Sequence, residues 1–139
     1  MQQLCYVSQS KSKKADLLSD LTNILSEARN FNTLNQINGV LYFSDGYFFQ
    51  CLEGDAEKLK MLLEKLYKDP RHENIRLFEI KDIEVQKFSE WSMKYVSKRS
   101  DIQVLCQRMG FDEFKPYEFE QHHVDLFLNE LVQQEQEAA

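Results

Sequence analysis

The sequence predicts a single α+β domain, and three observations lead to this fold class. The chain has 139 residues, a length that suits one domain with its own hydrophobic core. Short runs with strand-like composition are interleaved with two longer segments that have the three- and four-residue spacing of amphipathic helices. Hydrophobic residues make up 42% and charged residues 29% of the chain, which is ordinary for a soluble globular protein.

The first half of the chain is predicted to contain a strand, a helix and a β-hairpin. The first strand covers residues 4–8, and residues 16–32 form a helix with one apolar side. Residues 37–43 and 47–53 are predicted as two antiparallel strands. The sequence SDG at residues 44–46 lies between them and is typical of a tight hairpin turn.

The second half repeats the helix and the strand and then adds another strand. Asp55 is a suitable cap for a helix that carries leucines along one side and is stopped by Pro70. Residues 75–80 are predicted as the fourth strand and residues 91–96 as the fifth. Helices are predicted at residues 101–109 and near residues 118–134.

The element order β-α-β-β-α-β, followed by a further strand, is the ferredoxin-like pattern. Right-handed crossovers would place both main helices on one face of the sheet and leave the other face open for the last two helices. We therefore predict an α+β, ferredoxin-like βαββαββ sheet with two helices on one face and the C-terminal helices on the other. The expected division is a domain at residues 1–97 and a helical extension at residues 98–139.

Charge and cysteine usage argue against several classes of protein. The net charge is −6 without a long basic run, so direct nucleic-acid binding is not expected. No apolar run approaches the roughly 20 residues that span a bilayer, and no signal-peptide pattern is present, so we expect a cytoplasmic protein without membrane contact. Neither the three cysteines, which lack CxxC spacing, nor the pair His122 and His123 suggests a metal site.

Two polar side chains stand out within the predicted strands. Gln50 shares a strand face with Phe48 and Leu52, and an amide buried there without a partner is costly. Tyr6 lies at the centre of the first strand, which can neighbour the third in this fold. Each can be an ordinary core residue with a satisfied polar group, or the two can form a hydrogen-bonded relay beside a buried ligand.

Three residues of the helices point toward the same region. Asn32 ends the first helix on its apolar stripe and can aim a second amide at the cavity. Ile24 and Leu66, one from each helix, can form the sides of a slot for a flat ring, although their spacing suits plain core packing equally well. Spacing alone does not identify the ligand.

Four sequence segments together form a more specific pattern. They are YVS at residues 6–8, EARNFNTLNQINGVLYFSDGYFFQCLEG at residues 27–54, DPRH at residues 69–72 and FSEWSMKYV at residues 88–96. In this order they resemble the BLUF family, blue-light sensors that use a flavin, over roughly residues 2–97. Two positions depart from the family's usual residues: Phe31, where Asn or His is common, and Ala28, where Ser is common.

The resemblance implies a role for each residue at the predicted cavity. Tyr6 matches the family's photochemical tyrosine and Gln50 its switching glutamine. Asn32 matches an asparagine that hydrogen-bonds the pyrimidine edge of the flavin. Ile24 and Leu66 match apolar positions that flank the isoalloxazine ring.

The resemblance also implies residues near the flavin's tail and residues that transmit the signal. Arg71 and His72 match positions near the ribityl chain and phosphates, and Trp91 and Met93 match signalling residues of the fifth strand. The expected cofactor is FAD, with FMN or riboflavin left open.

The function implied is that of a blue-light photoreceptor without net substrate turnover. Electron and proton transfer from tyrosine to flavin would switch the hydrogen bonds of the glutamine, with output through the fifth strand and the C-terminal helices. As a stand-alone sensor the chain would act on a downstream regulatory protein, for which a transcription regulator is a reasonable class, or through homo-oligomers. The alternatives are a light-insensitive ferredoxin-like interaction module and a flavin-dependent enzyme.

Overall fold

Residues 1–135 are described by the computed structural model, in which one mixed sheet carries helices on both faces. In chain order the elements are β1 (Gln2–Ser10), α1 (Leu17–Asn35), β2 (Asn38–Ser44), β3 (Tyr47–Gly54), α2 (Ala56–Lys68), β4 (His72–Leu77), β5 (Lys81–Asp82), β6 (Lys94–Ser97), α3 (Ser100–Arg108) and α4 (Gln121–Gln133). A single 3₁₀ turn, Pro116–Glu118, precedes α4.

The strand order is β4-β1-β3-β2-β6, with the two-residue β5 also paired to β1. Strand β1 runs antiparallel to β3 and β4, β2 runs antiparallel to β3, and β6 is parallel to β2. The first four long strands therefore have the ferredoxin-like arrangement, and β6 is added at one edge. This confirms the predicted fold class.

The alternation of side chains along the strands separates two hydrophobic layers. Helices α1 and α2 cover one face, and α3 and α4 cover the other, as predicted. The strand residues on the α1–α2 face include Leu4, Tyr6, Leu41, Phe48 and Leu52; those on the α3–α4 face include Cys5, Val7, Tyr42, Phe49 and Cys51.

The hairpin between β2 and β3 forms where the sequence SDG predicted it. Asp45 and Gly46 both have positive φ, at 55° and 85°, which is the conformation that suits the twist of two antiparallel strands. The turn sets the register in which Phe43 faces Phe48 and Leu41 faces Gln50. Because β3 also pairs with β1 on its other side, Gln50 lies in the middle of the sheet.

Two predicted strands were misplaced. The fourth strand, predicted at residues 75–80, is His72–Leu77, and its first residues are polar because β4 is an edge strand with one solvated side. The fifth strand, predicted at residues 91–96, is Lys94–Ser97. Trp91 and Met93 precede this strand. The N–H group of Trp91 donates to the carbonyl of Phe88 at 3.0 Å instead of to a neighbouring strand.

The division into residues 1–97 and 98–139 as separate functional parts stays a prediction, and its last residues, 136–139, lie outside the described part of the chain. Helices α3 and α4 share a hydrophobic layer with the strands. Within residues 1–135, none of the helices combines the length and apolar character needed to cross a bilayer.

A buried carboxylate fixes the loop that leads into β6. Glu53 is fully buried at the end of β3 and accepts hydrogen bonds from the N–H groups of Lys87 at 2.9 Å and Phe88 at 3.0 Å. The amide of Gln3 donates to the same carboxylate at 3.0 Å. Several donors satisfy this buried charge, and in return it anchors the chain a few residues before Trp91.

A histidine takes part in the N-terminal capping of α4. His123 Nδ1 accepts a hydrogen bond from the N–H of Glu120 at 2.9 Å, and the ring packs against Phe111 and Phe119. Partial burial and the neighbouring His122 lower the pKa of His123, outweighing the opposite effect of Glu120. The fold therefore favours the neutral ring, whose Nδ1 lone pair makes this contact.

We expect the stability of the fold to decrease as the pH falls below the unfolded pKa of histidine, about 6.5. Because the pKa of His123 is lower in the folded chain, the unfolded chain binds the proton first, and the stabilisation present above that pH is lost. His123→Gln keeps an acceptor and removes this titration, so its thermal midpoint should vary less between about pH 7.5 and pH 5.5. The control His122→Gln should keep most of the wild-type slope; equal slopes for His123→Gln and wild type would contradict the assignment.

Candidate functional site

An open pocket lies between the α1–α2 pair and the sheet. Its volume is about 720 Å³, including the space at its mouth. It brings together every residue predicted for the photochemical relay and for cofactor contact: Tyr6, Ile24, Asn32, Gln50, Leu66, Arg71 and His72. Trp91 and Met93, predicted for signalling, are not among the lining residues.

The inner wall of the pocket carries a chain of polar contacts. Tyr6 and Gln50 face each other directly in the β1–β3 ladder, and the Tyr6 hydroxyl donates a hydrogen bond to Gln50 Oε1. Gln50 Nε2 points the other way and lies 3.7 Å from the sulfur of Met93. The amide thus connects a phenol with a thioether, and a reversed amide would exchange the donor and acceptor that these two groups meet.

The Tyr6 phenol is neutral in this environment. Its side chain is 3% exposed, and burial raises the pKa of Tyr6, with the nearby Asp69 carboxylate raising it further. The proton of this phenol is directed at Gln50 Oε1, which accepts its hydrogen bond.

Asn32 presents an unsatisfied acceptor at the pocket. The residue is fully buried near the end of α1, and its Nδ2 donates to the carbonyl of Ser92 at 2.7 Å. Among the described residues, Asn32 Oδ1 has no hydrogen-bond partner, an arrangement that costs about 1–3 kcal/mol unless a ligand or water supplies a donor. The N3–H group on the pyrimidine edge of a flavin is such a donor, so this residue fits the implied cofactor.

The two helices supply apolar walls on either side of the pocket. Ile24 comes from α1 and Leu66 from α2, and both are only partly buried. The two positions that depart from the family pattern, Ala28 and Phe31, also line the pocket, and the ammonium of Lys65 lies 4.3 Å from the centre of the Phe31 ring. A flat aromatic ligand would meet apolar surface from both helices here.

Arg71 is held by carboxylates at the mouth of the pocket. Its guanidinium donates to Asp69 through Nε and Nη2, at 2.9 and 2.7 Å, and to Glu27 through Nη2 at 2.7 Å. Although partial burial favours the protonated acid, the hydrogen bonds and charge of Arg71 lower the pKa of Asp69. A phosphate contact for Arg71 stays a prediction, since any such anion would share the guanidinium with these carboxylates.

His72 connects α2 with β1 through hydrogen bonds of its ring. Its Nε2 donates to the carbonyl of Leu66 at 2.7 Å, and its Nδ1 lies 2.8 Å from the Ser8 hydroxyl. The ring centre is 6.2 Å from that of Tyr6. Both nitrogens are engaged within the protein, and the expected proximity of His72 to the ribityl chain stays a prediction.

The segment before β6 is fixed through its backbone carbonyls. The carbonyl of Trp91 accepts from the N–H of Gly39 at 3.2 Å, that of Ser92 accepts from Asn32, and that of Met93 accepts from Arg29 Nε at 3.2 Å.

Sequence reasoning missed Arg29, which lies off the apolar stripe of α1. Asp69 was overlooked as a site residue, although it stands inside the DPRH motif that drew attention to Arg71 and His72.

Within residues 1–135, no group of three or more His, Cys, Asp or Glu side chains is placed to hold a metal ion. The three cysteines are free and buried, and burial is the main cause that raises the pKa of Cys51 and Cys106, the latter to about 11. These thiols act as small apolar residues of the core.

Comparison with known sequences identifies related proteins. A family model described as "BLUF: Sensors of blue-light using FAD" matches residues 1–94. The blue light- and temperature-regulated antirepressor BluF of Escherichia coli K12 is 38% identical over 55 residues, which are 40% of this chain and 14% of that protein. The photoactivated adenylate cyclase subunit alpha of Euglena gracilis is 31% identical over 97 residues, covering 68% and 9%. The chain thus spans a small part of these two relatives.

Solved structures show the same fold. The photo-activated state of BlsA has a TM-score of 0.96 and 46% identity, with 99% of both chains covered. Its ground state has a TM-score of 0.94 and 47% identity, covering 99% of this chain and 91% of that one. The dark state of the BLUF protein BlrB has a TM-score of 0.77 and 26% identity over 95% of both chains.

Replacing Asn32 should weaken flavin binding. Asn32→Leu removes the free acceptor, which the resemblance implies meets the flavin, and the donor to Ser92, so we expect the dissociation constant for flavin to rise by about tenfold or more. Titration of the apoprotein by fluorescence quenching measures this constant. Asn35→Leu is the matched control, because Asn35 lies on the same helix outside the pocket lining; equal affinities of Asn32→Leu and wild type would contradict the role of Asn32.

Proposed function

The chain belongs to the BLUF family of blue-light sensors, and we propose that its pocket binds FAD and that Tyr6 and Gln50 turn light absorption into a hydrogen-bond switch. One observation carries this proposal: the continuous contact from the Tyr6 hydroxyl through the Gln50 amide, both in the wall of the pocket, to the sulfur of Met93 behind it. The free acceptor on Asn32 supports the choice of a flavin as the ligand.

Bound FAD would supply absorption of blue light and, on excitation, a strong oxidant. Tyr6 would give up an electron, and its phenolic proton would leave by way of Gln50. Return of the electron and proton restores the neutral phenol, so there is no net turnover of a substrate. What remains changed is Gln50, whose amide ends in a different arrangement, by rotation or by tautomerisation.

The rearranged amide changes what Gln50 offers to its neighbours. Nε2 donates toward Met93 in this structure, and we assign this arrangement to the dark state; rotation of the amide would put an oxygen in the same place, which cannot donate. Met93 lies directly before β6, which leads to α3 and α4 on the other face of the sheet. We propose that output follows this route to a downstream regulatory protein, a class consistent with the description of the E. coli relative as an antirepressor.

The first test is the absorption spectrum of purified wild-type protein and Gln50→Leu before and after blue light. Wild type should be yellow and show a small, dark-reversible red shift, whereas Gln50→Leu should bind flavin and lose the shift, because leucine can neither accept from Tyr6 nor donate to Met93. Gln9→Leu, an exposed change on β1, is the control and should keep the shift.

A normal red shift in Gln50→Leu would refute the relay. A colourless wild-type protein would favour the light-insensitive interaction module, and a yellow protein without a shift would favour an ordinary flavoprotein. The three outcomes are distinguished by the same spectra.

Tyr6→Phe tests the electron and proton donor. The change keeps the buried ring and removes the hydroxyl, so the amplitude of the red shift should fall by about tenfold or more while flavin remains bound. The matched control is Tyr42→Phe, a tyrosine equally buried on the opposite face of the sheet, which should retain the photocycle. A photocycle in Tyr6→Phe as strong as that of Tyr42→Phe would remove Tyr6 from the mechanism.

A further inference from the structure

A lysine is buried where β6 meets the end of α4. The side chain of Lys94 is fully buried; its Nζ donates to the backbone carbonyl of Val132 at 3.1 Å and lies 4.3 Å from the centre of the Trp91 ring. Helix α4 ends at Gln133, so the carbonyl of Val132 is one of the last four, which have no partner within the helix. A cation at this end also complements the helix dipole.

Lys94 is the direct chain neighbour of the residue that contacts the switch. Met93 belongs to the hydrophobic layer that contains Tyr6, where Gln50 Nε2 lies 3.7 Å from its sulfur. Lys94 extends from the next position toward α4, on the opposite face of the sheet. A single peptide unit therefore separates the contact with the pocket from the contact with the helix.

The surrounding restraints leave few ways for a change at Met93 to be absorbed. The carbonyls of Trp91, Ser92 and Met93 are bonded to β2 and α1, and Glu53 holds the chain a few residues earlier. Met93 is thus held by its backbone on the β2 and α1 side and continues directly into β6, whose first residue is Lys94.

The Lys94 ammonium is held by few contacts, and these depend on the position of β6. Burial lowers the pKa of Lys94, and Arg99 lowers it further, while Glu90 acts in the opposite direction. A buried ammonium depends on its few polar contacts, here a carbonyl and an aromatic ring. Of these two contacts, the one to the Val132 carbonyl joins β6 to a different element, α4.

We propose that Lys94 is the positioning residue that couples the Gln50–Met93 contact to the last turn of α4. The proposal rests on the photosensor function stated above. In the dark state Lys94 holds the Val132 carbonyl; when rotation of the amide turns Gln50 Nε2 away from Met93, that contact weakens and the last turn of α4 opens more readily. Light is thereby converted into a change in helix stability on the far side of the sheet.

Lys81 and Lys87 also contact α4, and their contacts differ from that of Lys94. Lys81 pairs with Asp125 at 2.9 Å, and Lys87 donates to Asn129 at 3.0 Å. Both contacts are exposed and involve side chains along α4, and neither lysine adjoins Met93 in sequence. Lys81 can therefore be changed without altering the route from Gln50.

The test is hydrogen exchange of the backbone amides in the last turn of α4, measured by mass spectrometry on the full chain with bound flavin. Each sample is compared in the dark and under blue light, and its absorption spectrum is recorded in parallel. Wild type should exchange about fivefold faster in the light, the lower end of typical coupling between sites. Lys94→Met should keep the red shift but lose the light-minus-dark difference, with fast exchange in both states.

The controls separate coupling from a general structural effect. Lys81→Met removes a contact with the same helix and should keep the full light-minus-dark difference. Lys94→Arg keeps both a donor and a cation over Trp91, so it should recover at least half of the difference. If Lys94→Met does not fold, Lys94→Gln replaces it, because the shorter amide does not reach the Val132 carbonyl.

Two results would overturn the coupling while leaving the photosensor intact. One is a normal light-minus-dark difference in Lys94→Met or Lys94→Gln; the other is a wild-type protein that shows the red shift without any change in exchange at α4. A wild-type protein without a red shift would instead refute the proposed function, and the coupling with it.

Discussion

The antiparallel pairing of β1 with β3 is the constraint on which the rest of the site depends. It places Tyr6 opposite Gln50 at the centre of the sheet, and both side chains line the pocket on the α1–α2 face. A shift by one residue would move Gln50 to the α3–α4 face, away from the pocket. The position of the polar pair is thus determined by strand pairing and does not rely on a flexible loop.

The pocket combines apolar and polar surface. Ile24 and Leu66 offer apolar surface, Asn32 has an acceptor without a partner among the described residues, and Arg71 is paired with acidic neighbours at the mouth. Tyr6 and Gln50 lie on the inner wall, where both are buried. Under the proposed function, a change in the electronic state of the flavin would therefore act on groups that have few alternative partners.

Much of this arrangement could be predicted from the sequence, for identifiable reasons. Period-two alternation indicated β1, β2 and β3, and leucine spacing indicated α2, so the ferredoxin-like fold and the neighbouring positions of Tyr6 and Gln50 followed. Edge strands gave weaker signals: β4 begins with polar residues, and β6 is shorter than the apolar run from Trp91 suggested. The contacts of Arg29, Glu53 and Lys94 could not be predicted, because each depends on backbone groups distant in sequence.

The place of each strand in the sheet also has a mechanical consequence. β3, which carries Gln50, is bonded on both sides, whereas β6 is an edge strand that pairs only with β2 along the described path of the sheet. Moving β3 would disturb its hydrogen bonds to two neighbouring strands, whereas moving β6 would disturb those to one strand. Under the proposed function, the strand that carries the switch is the one held on both sides, and the strand that carries the output is held on one side, so motion would fall on β6 and leave the geometry around Gln50 in place.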